Sequence, residues 1–381
     1  MATAIAAVVV LGIGVALSWH FSSKVVVPDH SDYAEDVSVE AIHPGTIGLE
    51  NTEESRRPGV YGLDWQAGHA IVGAVIGNDG GTVTRRLRSV SGYLVPGTRV
   101  AIDSKVWRGD PMQALGMHFS EVEVPGELGR MPAWRVGPSA RTWAILVHGI
   151  NDDPEVGLRV LPELSRSGLT SLLITYREDL GAPPSPDGLH HMGLTEWRDL
   201  EAAARYALSH GARRLVLIGY SMGGSLVTQF MQHSALAGRV AGLILDAPAL
   251  DWQRIISFHA SEMGLPGIAA KPVEWATDAR IDADWDDLDA LSHPEALQLP
   301  ILLFHGTEDQ VVPIATSEDL AQELPRWVSF HPAPGADHME AWNVDPKLYE
   351  RRLGAFLRRI GAAATIKSRA AASSSPRSPR G

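Results

Sequence analysis

Beyond residue 140, five short runs of apolar residues recur along the chain, and segments with helical periodicity separate them. Runs without polar alternation are typical of strands that are buried on both faces, so this order predicts a parallel sheet covered by helices. Ahead of the first run, two apolar stretches flank turn residues and predict an opening hairpin. The pattern therefore predicts an α/β domain over residues 115–361. The runs are Trp143–Val147, Ser171–Tyr176, Leu215–Tyr220, Gly242–Leu245 and Ile301–Phe304, and the hairpin strands are Met117–Val124 and Met131–Val136.

A different pattern precedes this domain. Between residues 60 and 114, short apolar runs are broken by turn signals such as Asn78–Gly81 and Pro96–Gly97, which predicts a small β-rich module of antiparallel strands. Residues 24–59 mix prolines with charged residues and show no sustained period, which predicts a linker. At the other end of the chain, residues 362–381 are rich in Ala, Ser, Pro and Arg, a composition typical of a disordered tail.

The chain begins with an uncharged apolar run. No side chain from Ala2 to Trp19 carries a charge, and Lys24 is the first that does. As a helix this run is just long enough to cross about 30 Å of hydrocarbon. We predict a single-pass transmembrane anchor over residues 1–23 and hence a membrane location. The charge of Lys24 is nearly balanced by the terminal amine, so the sequence does not set the orientation.

Two alternatives to the anchor stay open. A cleaved signal peptide requires a basic region before the apolar run and small residues at a cleavage site after it, and the segment Leu17–Phe21 has no such site. A buried helix of a globular domain is the other alternative.

Composition removes several classes of function. The chain has 381 residues, no cysteine and a formal net charge of −12. Thiolate catalysis and cysteine-ligated metal sites are therefore excluded for this chain alone. Because the net charge repels phosphate and no basic cluster lines a predicted element, the sequence does not predict nucleic-acid binding. It predicts no metal site and no cofactor.

The strongest chemical signal is the segment Gly219–Gly224, directly after an apolar run and directly before a helix-like one. A sharp turn from strand to helix exposes the serine at its apex as a nucleophile, and it requires small neighbours. Gly219 and Gly223 meet that requirement on either side of Ser221. We therefore predict that Ser221 is the nucleophile.

A serine hydroxyl needs a base to take its proton and an acid to orient that base. Asp309 follows the run 301–304, and His338 follows the next strand-like segment, so both are expected in loops at the same edge of the sheet. We predict Asp309 as the acid and His338 as the base, with Asp246 as the reserve acid. The negative charge on the substrate oxygen requires two backbone donors. The amide of Met222, next to the nucleophile, and the amide of Ile150, in the loop after run 143–147, are the predicted pair.

These motifs occur in the order found in one large family. The His148–Gly149 loop, the Ser221 elbow, the loop Gly306–Asp309 and the Asp337–His338 pair make residues 115–360 resemble an α/β-hydrolase. The resemblance is to the lysophospholipase-like or serine-aminopeptidase-like branch, in particular to uncharacterised bacterial membrane-anchored members. It implies the α/β-hydrolase fold and a lid inserted at about residues 251–298, where the strand and helix alternation lapses.

The resemblance also implies a serine hydrolase that cleaves a carboxylic ester through an acyl-serine intermediate. A lipid-derived ester is one candidate substrate, given the predicted anchor. Amide or thioester hydrolysis and acyl transfer use the same residues and remain open, as does a non-catalytic membrane-anchored binding protein of this fold. The expected partners are an ester substrate and the membrane, and the sequence does not indicate an oligomeric state.

Overall fold

The computed structural model describes residues 16–31, 34–264 and 266–362, and an α-helix over residues 16–26 (α1) comes first. Most of the predicted anchor, residues 1–15, lies outside the described residues, as do residues 363–381 of the predicted tail. Within the described ranges, no helix has both the length and the apolar character needed to cross a membrane. One face of α1 packs on the domain that follows, where Ser22 and Val26 are fully buried.

Six antiparallel strands close into a barrel in the order β1–β2–β5–β4–β3–β6. Alternate side chains point inward and form an apolar core that includes Val37, Ile47 and Leu63. Closure pairs every strand on both sides, so the barrel has no open sheet edge. A short helix, α2, joins β2 to β3. The strands are β1 (Val37–His43), β2 (Thr46–Glu50), β3 (Tyr61–Trp65), β4 (Gly68–Asn78), β5 (Thr82–Gly92) and β6 (Arg99–Asp103), and α2 is Glu53–Arg56.

This barrel begins within the segment that was predicted as a linker. The structure places residues 37–56 in β1, β2 and α2 rather than in an irregular connection. Each strand has only a few inward positions, such as Val37 and Val39, and charged residues such as Glu40 occupy outward positions between or beside them. Runs this short show no sustained period in the sequence. The β-rich module therefore spans residues 37–103 rather than 60–114.

The second domain contains an eight-stranded sheet in the order β14–β13–β12–β11–β9–β10–β8–β7. β7 and β8 form the predicted antiparallel hairpin, β8 pairs antiparallel with β10, and the remaining pairs are parallel. This order is that of the α/β-hydrolase fold, as the sequence predicts. The strands are β7 (Phe119–Pro125), β8 (Arg130–Val136), β9 (Thr142–Val147), β10 (Thr170–Ile174), β11 (Arg214–Tyr220), β12 (Val240–Asp246), β13 (Ile301–Gly306) and β14 (Val328–Ala333).

Helices cover both faces of this sheet. In β11, Leu215 and Leu217 face one apolar cluster, and Val216 and Ile218 face the other, as expected for a strand buried on both sides. α5, α6 and α9 lie on the first face, and α4 and α11 lie on the second. The helices are α3 (Pro111–Leu115), α4 (Leu161–Arg166), α5 (Trp197–Ser209), α6 (Met222–His233), α7 (Trp252–Glu262), α8 (Lys271–Ile281), α9 (Ala315–Glu323), α10 (Ala341–Val344) and α11 (Pro346–Arg359).

The predicted lid region contains α7 and α8, inserted between β12 and β13. Trp252 packs into the main core, and Ile256 forms a small separate cluster with neighbours in the lid. Two large apolar residues of the lid, Met263 and Trp275, are 49% and 60% exposed. The lid therefore has a buried side that packs on the domain, and its outer side exposes large apolar side chains among polar ones such as Lys271 and Asp278.

Candidate active site

Ser221 occupies the turn between β11 and α6. Its backbone has φ 49° and ψ −121°, a combination that residues with a side chain rarely adopt. The Ser221 amide donates to the carbonyl oxygen of Asp246, at 3.1 Å, and the Ser221 carbonyl accepts from the amide of Ala249, at 2.9 Å. These bonds fix the strained turn against the neighbouring strand, and the side chain is 6% exposed.

The two glycines of the turn sit where no side chain fits. A Cβ on Gly219 would lie 2.6 Å from the carbonyl oxygen of Gly223, and a Cβ on Gly223 would lie 2.2 Å from that of Val147. The first turn of α6 therefore packs directly on the backbone at the end of β9. This close approach brings the Ser221 turn beside the loop that follows β9, and it accounts for the glycines at positions 219 and 223.

Asp309 and His338 are in contact, although their loops follow different strands. His338 Nδ1 lies 2.8 Å from Asp309 Oδ2. The other oxygen, Oδ1, accepts from the amides of Val311 and Val312, both at 2.8 Å. Both loops lie at the carboxyl edge of the sheet, where β11 also ends at the Ser221 turn. In this geometry the carboxylate fixes the imidazole orientation and leaves its Nε2 as the free ring nitrogen.

Each member of this pair shifts the pKa of the other toward its charged form. Burial would raise the pKa of Asp309, but the charge of His338 and hydrogen bonds from His305 and His338 outweigh it and hold that pKa well below its usual range. Burial alone would lower the pKa of His338. The nearby carboxylate of Asp309 has the larger effect, so the pKa of His338 is raised. A carboxylate that stays ionised beside an imidazole stabilises the cation that forms when the imidazole takes a proton.

His305 is a member of this site that the sequence did not reveal. Its Nε2 lies 2.9 Å from the carbonyl oxygen of Val312 and 3.2 Å from Asp309 Oδ2, and its Nδ1 lies 2.7 Å from the hydroxyl of Ser317. Because both neighbours of Nε2 are acceptors, that nitrogen carries a proton. His305 therefore anchors the acid loop. Its only sequence signal is the spacing of four residues from Asp309.

Asp246, the reserve acid, lies at the end of β12 between the nucleophile and the acid loop. Its side chain is buried, and burial raises its pKa, an effect that Arg159 partly offsets. The hydrogen bond to His338 is made by Asp309. Among the described residues, the hydroxyl of Ser221 makes no hydrogen bond, so the structure contains the contact between acid and imidazole without one between imidazole and serine.

The loop after β9 lies against Ser221. A Cβ on Gly149 would be 3.0 Å from the Cβ of Ser221. The Gly149 carbonyl accepts from Tyr176 Oη at 2.6 Å and from His148 Nδ1 at 2.8 Å. In a planar trans peptide the C=O and the following N–H point in opposite directions. The amide of Ile150 is therefore turned away from His148 and Tyr176.

A second ion pair supports this loop, and the sequence did not reveal it either. His148 Nε2 lies 2.9 Å from Asp179 Oδ2, and the imidazole stacks on Tyr176 at 4.5 Å between ring centroids. Burial alone would lower the pKa of His148, but Asp179 outweighs it and raises the pKa to about 9. His148 is thus a buried cation that donates from both ring nitrogens. Asp179 follows β10, at the same edge of the sheet.

Met222, the other predicted donor, is the first residue of α6. Amides in the first turn of a helix lack partners within the helix and point toward its amino-terminal end.

Over the described parts of the chain, no group of three His, Asp or Glu side chains is arranged to hold a metal ion.

The chain is similar to several known proteins. Residues 186–361 match the prolyl oligopeptidase family, and residues 38–103 match a domain of unknown function, DUF8805. The uncharacterized protein YfhR of Salmonella typhimurium is 27% identical over 279 residues, which cover 66% of this chain and 85% of that protein. Its counterpart in Escherichia coli K12 is 24% identical over 265 residues, covering 66% and 84%.

Among solved structures, the Pyrococcus furiosus esterase Pf2001 has a TM-score of 0.55 at 18% identity, covering 67% of this chain and 95% of that chain. At that identity the likeness shows the fold alone. The strand order, the elbow and the match to the prolyl oligopeptidase family together support a serine hydrolase of the α/β-hydrolase fold.

Proposed function

We propose that this protein hydrolyses a carboxylic ester through an acyl-enzyme intermediate on Ser221. His338 takes the hydroxyl proton as Ser221 attacks the carbonyl carbon, and it then gives that proton to the departing alcohol. Asp309 holds the imidazole and stabilises its charged form. A water molecule, deprotonated by His338, then attacks the acyl carbon, the bond from that carbon to Ser221 Oγ breaks, and His338 returns the proton to Oγ as the acid leaves.

The observation that carries this proposal is the 2.8 Å contact of His338 with Asp309 at the edge of the sheet where the strained Ser221 turn also lies. The proposal adds the third contact, from Ser221 Oγ to His338 Nε2, because such bonds are often long in unliganded sites and tighten with substrate. The amides of Met222 and Ile150 are proposed to receive the substrate oxygen. The orientation of the Gly149–Ile150 peptide supports that role.

A fluorophosphonate probe tests the nucleophile. We expect covalent labelling of the full chain and none of Ser221→Ala, and loss of the nucleophile of such a triad costs about 10⁶ in turnover. p-Nitrophenyl esters of increasing acyl length then measure the preferred substrate. Equal hydrolysis by Ser221→Ala and the parent chain would refute the proposal, and a folded chain that neither takes the probe nor cleaves any ester would favour the non-catalytic binding protein.

Peptide hydrolysis is the second candidate, because residues 186–361 match a peptidase family. The same serine and imidazole serve both reactions, but an amide requires His338 to protonate a poorer leaving group. Matched p-nitrophenyl esters and p-nitroanilides with one acyl group separate the two. A kcat/KM for the anilide within about tenfold of that for the ester would favour a peptidase.

A membrane anchor formed by the first residues is part of the proposal, and α1 supports it. The face of α1 that packs on the domain carries Ser18 and Ser22, whereas Leu17 and Trp19 on the opposite side are 52% and 47% exposed. Although α1 also buries Val26 and exposes Lys24, two large apolar side chains at its amino-terminal end face outward. Lipid on the outer side would account for that arrangement.

The lid shares this surface. Thr277 of α8 lies 3.1 Å from the Ser22 hydroxyl, and Arg280 of α8 stacks over Trp19 at 4.9 Å. The exposed side of the lid includes Ile268 and Trp275, at 74% and 60% exposure. This proximity favours a lipid-derived ester, as in the lysophospholipase-like branch that the sequence resembles.

Extraction of membranes with alkaline carbonate tests the anchor. We expect the full chain to stay in the membrane pellet and a chain without residues 1–15 to be released. Complete release of the full chain would contradict the anchor without affecting the proposed chemistry.

A further inference from the structure

The barrel module, residues 37–103, contacts the loop between β14 and α10 that carries His338. Arg57, in the connection from α2 to β3, places Nη2 2.8 Å from Asp337 Oδ2 and Nη1 3.0 Å from Glu340 Oε1. These carboxylates lie on either side of His338 in the sequence. A single side chain of the barrel module, Arg57, therefore forms ion pairs with the loop on both sides of His338.

Glu340 receives a second bond from the same module. Tyr61 Oη donates to Glu340 Oε2 at 3.0 Å, and that oxygen also accepts from the Asp337 amide at 3.1 Å. Glu340 is 2% exposed, so loss of these donors would leave a buried charge unpaired. Past Glu340, the Val60 amide donates to the Asn343 carbonyl at 3.0 Å, and Asn343 Nδ2 donates back to the Val60 carbonyl at 2.7 Å.

A buried arginine in the barrel module shapes the segment that presents Arg57. Arg85 is 0% exposed and donates to the carbonyl oxygens of Ser55, Arg57 and Gly59 at 3.0, 2.8 and 2.9 Å. Burial lowers the pKa of Arg85 to about 10, so the side chain is charged at neutral pH. Hydrogen bonds from a charged donor are stronger than neutral ones. The closed barrel thus provides a rigid support for residues 55–59.

We infer that the barrel module is part of the catalytic apparatus, because Arg57 and Tyr61 act as positioning residues that hold the His338 loop against Asp309. This inference rests on the proposed function, and it assigns a role to the segment that matches a domain of unknown function. The barrel module contacts the loop of His338 through Arg57 and Tyr61, and it also reaches the loop of Asp309, where Gln310 Nε2 donates to Glu53 Oε1 at 3.2 Å.

Arg57 also sets the charge around His338. The imidazole must be neutral to accept a proton, so activity rises with pH through its pKa. Arg57 is the cation bonded to Asp337, and without it the Asp337 carboxylate is left to stabilise the imidazolium. The acid limb of the pH–rate profile then moves to higher pH. Among the described residues, the other titratable and charged groups around the imidazole and its loop are Asp309, Asp246, His305, Glu340, Arg159, Glu54 and Tyr61.

The test compares three variants of the full chain in hydrolysis of p-nitrophenyl acetate. Arg57→Met removes the charge and keeps the apolar stem, Arg57→Lys keeps the charge, and Arg56→Met is the matched control. Arg56 is the exposed neighbour and bonds Asn51, at 2.6 Å, rather than the His338 loop. We expect Arg57→Met to lower kcat ~10-fold with KM unchanged. We also expect it to shift the midpoint of the acid limb of the pH–rate profile upward by ~0.5 pH unit. Arg57→Lys should restore the pH profile, and Arg56→Met should match the parent chain.

A folded Arg57→Met chain with the parent kcat and an unmoved acid limb would overturn the inference. If melting shows that Arg57→Met does not fold, Tyr61→Phe removes only one hydroxyl, and Tyr93→Phe, at a 76% exposed position, is its control. A lower kcat in Tyr61→Phe alone supports the inference, and equal kcat values overturn it. Ser221→Ala, measured in parallel, separates the two proposals, because activity that survives in it contradicts the proposed function itself.

Discussion

Substitution of Gly223 by alanine adds one methyl group at the tightest point of the Ser221 turn. The new Cβ would lie 2.2 Å from the carbonyl oxygen of Val147 and 2.6 Å from that of His148, and neither backbone atom can rotate away. Cβ atoms essentially never come within 3.0 Å of such neighbours, so the contact must open by at least 0.8 Å, from 2.2 to 3.0 Å. That displacement separates α6, which carries the Met222 amide, from the end of β9.

Overpacking of this kind costs about 1–3 kcal/mol of stability, and a misplacement of ~1 Å costs ~10² in rate. We therefore expect Gly223→Ala to lower kcat/KM for p-nitrophenyl acetate ~10²-fold and the free energy of unfolding, measured in urea, by about 2 kcal/mol. Gly238→Ala is the matched control, because its Cβ would meet no atom within 4 Å. Parent-like activity and stability in Gly223→Ala would refute the steric argument.

Three further substitutions or conditions test other parts of the site. Tyr176→Phe removes the hydroxyl bonded to the Gly149 carbonyl, and we expect kcat to fall ~10-fold, less than loss of an oxyanion donor itself. Tyr93→Phe, at a 76% exposed position, should leave kcat unchanged. Asp309→Asn should lower kcat by ~10⁴ while the fold, monitored by circular dichroism, is retained, and a loss below tenfold would count against this residue as the acid. Because the pKa of His148 is raised from 6.5 to about 9, its stabilisation is complete below about pH 6.5 and is lost as the pH rises through about 9. Urea unfolding should therefore show a loss of about 3 kcal/mol across that window, and a flat profile there would contradict the buried cation.

The α/β domain could be predicted because its signals are local. Each buried strand is a continuous apolar run. The glycines at positions 219 and 223 are needed because no side chain fits at either position. The order of Ser221, Asp309 and His338 along the chain follows from the sheet, since each residue comes after the end of a strand. These properties can be predicted from the sequence without knowledge of any contact between distant residues.

Other parts of the site could not be predicted, because their role depends on contacts that sequence does not display. His305 resembles a packed residue until its contact with Asp309 is seen. Asp179 lies in a run of charged residues that indicates an ordinary loop, and only the fold brings it to His148. The sequence pattern predicts a linker where the barrel starts, because inward positions such as Val37 and Val39 are too few in each strand to set a period.

The contact of Arg57 with the His338 loop shows why a boundary between folds need not be a boundary between functions. Arg57 and Glu340 are 283 residues apart, and the sequence pattern around Arg57 predicts only a linker. The hydrolase domain has its own complete sheet, and Val60 and Ile71 of the barrel module pack into one of the two apolar clusters that flank it. We expect His338 to depend on the barrel module, because without Arg57 and Tyr61 the buried carboxylate of Glu340 would lose both side-chain partners that the described residues give it. Activity is therefore expected to require both domains.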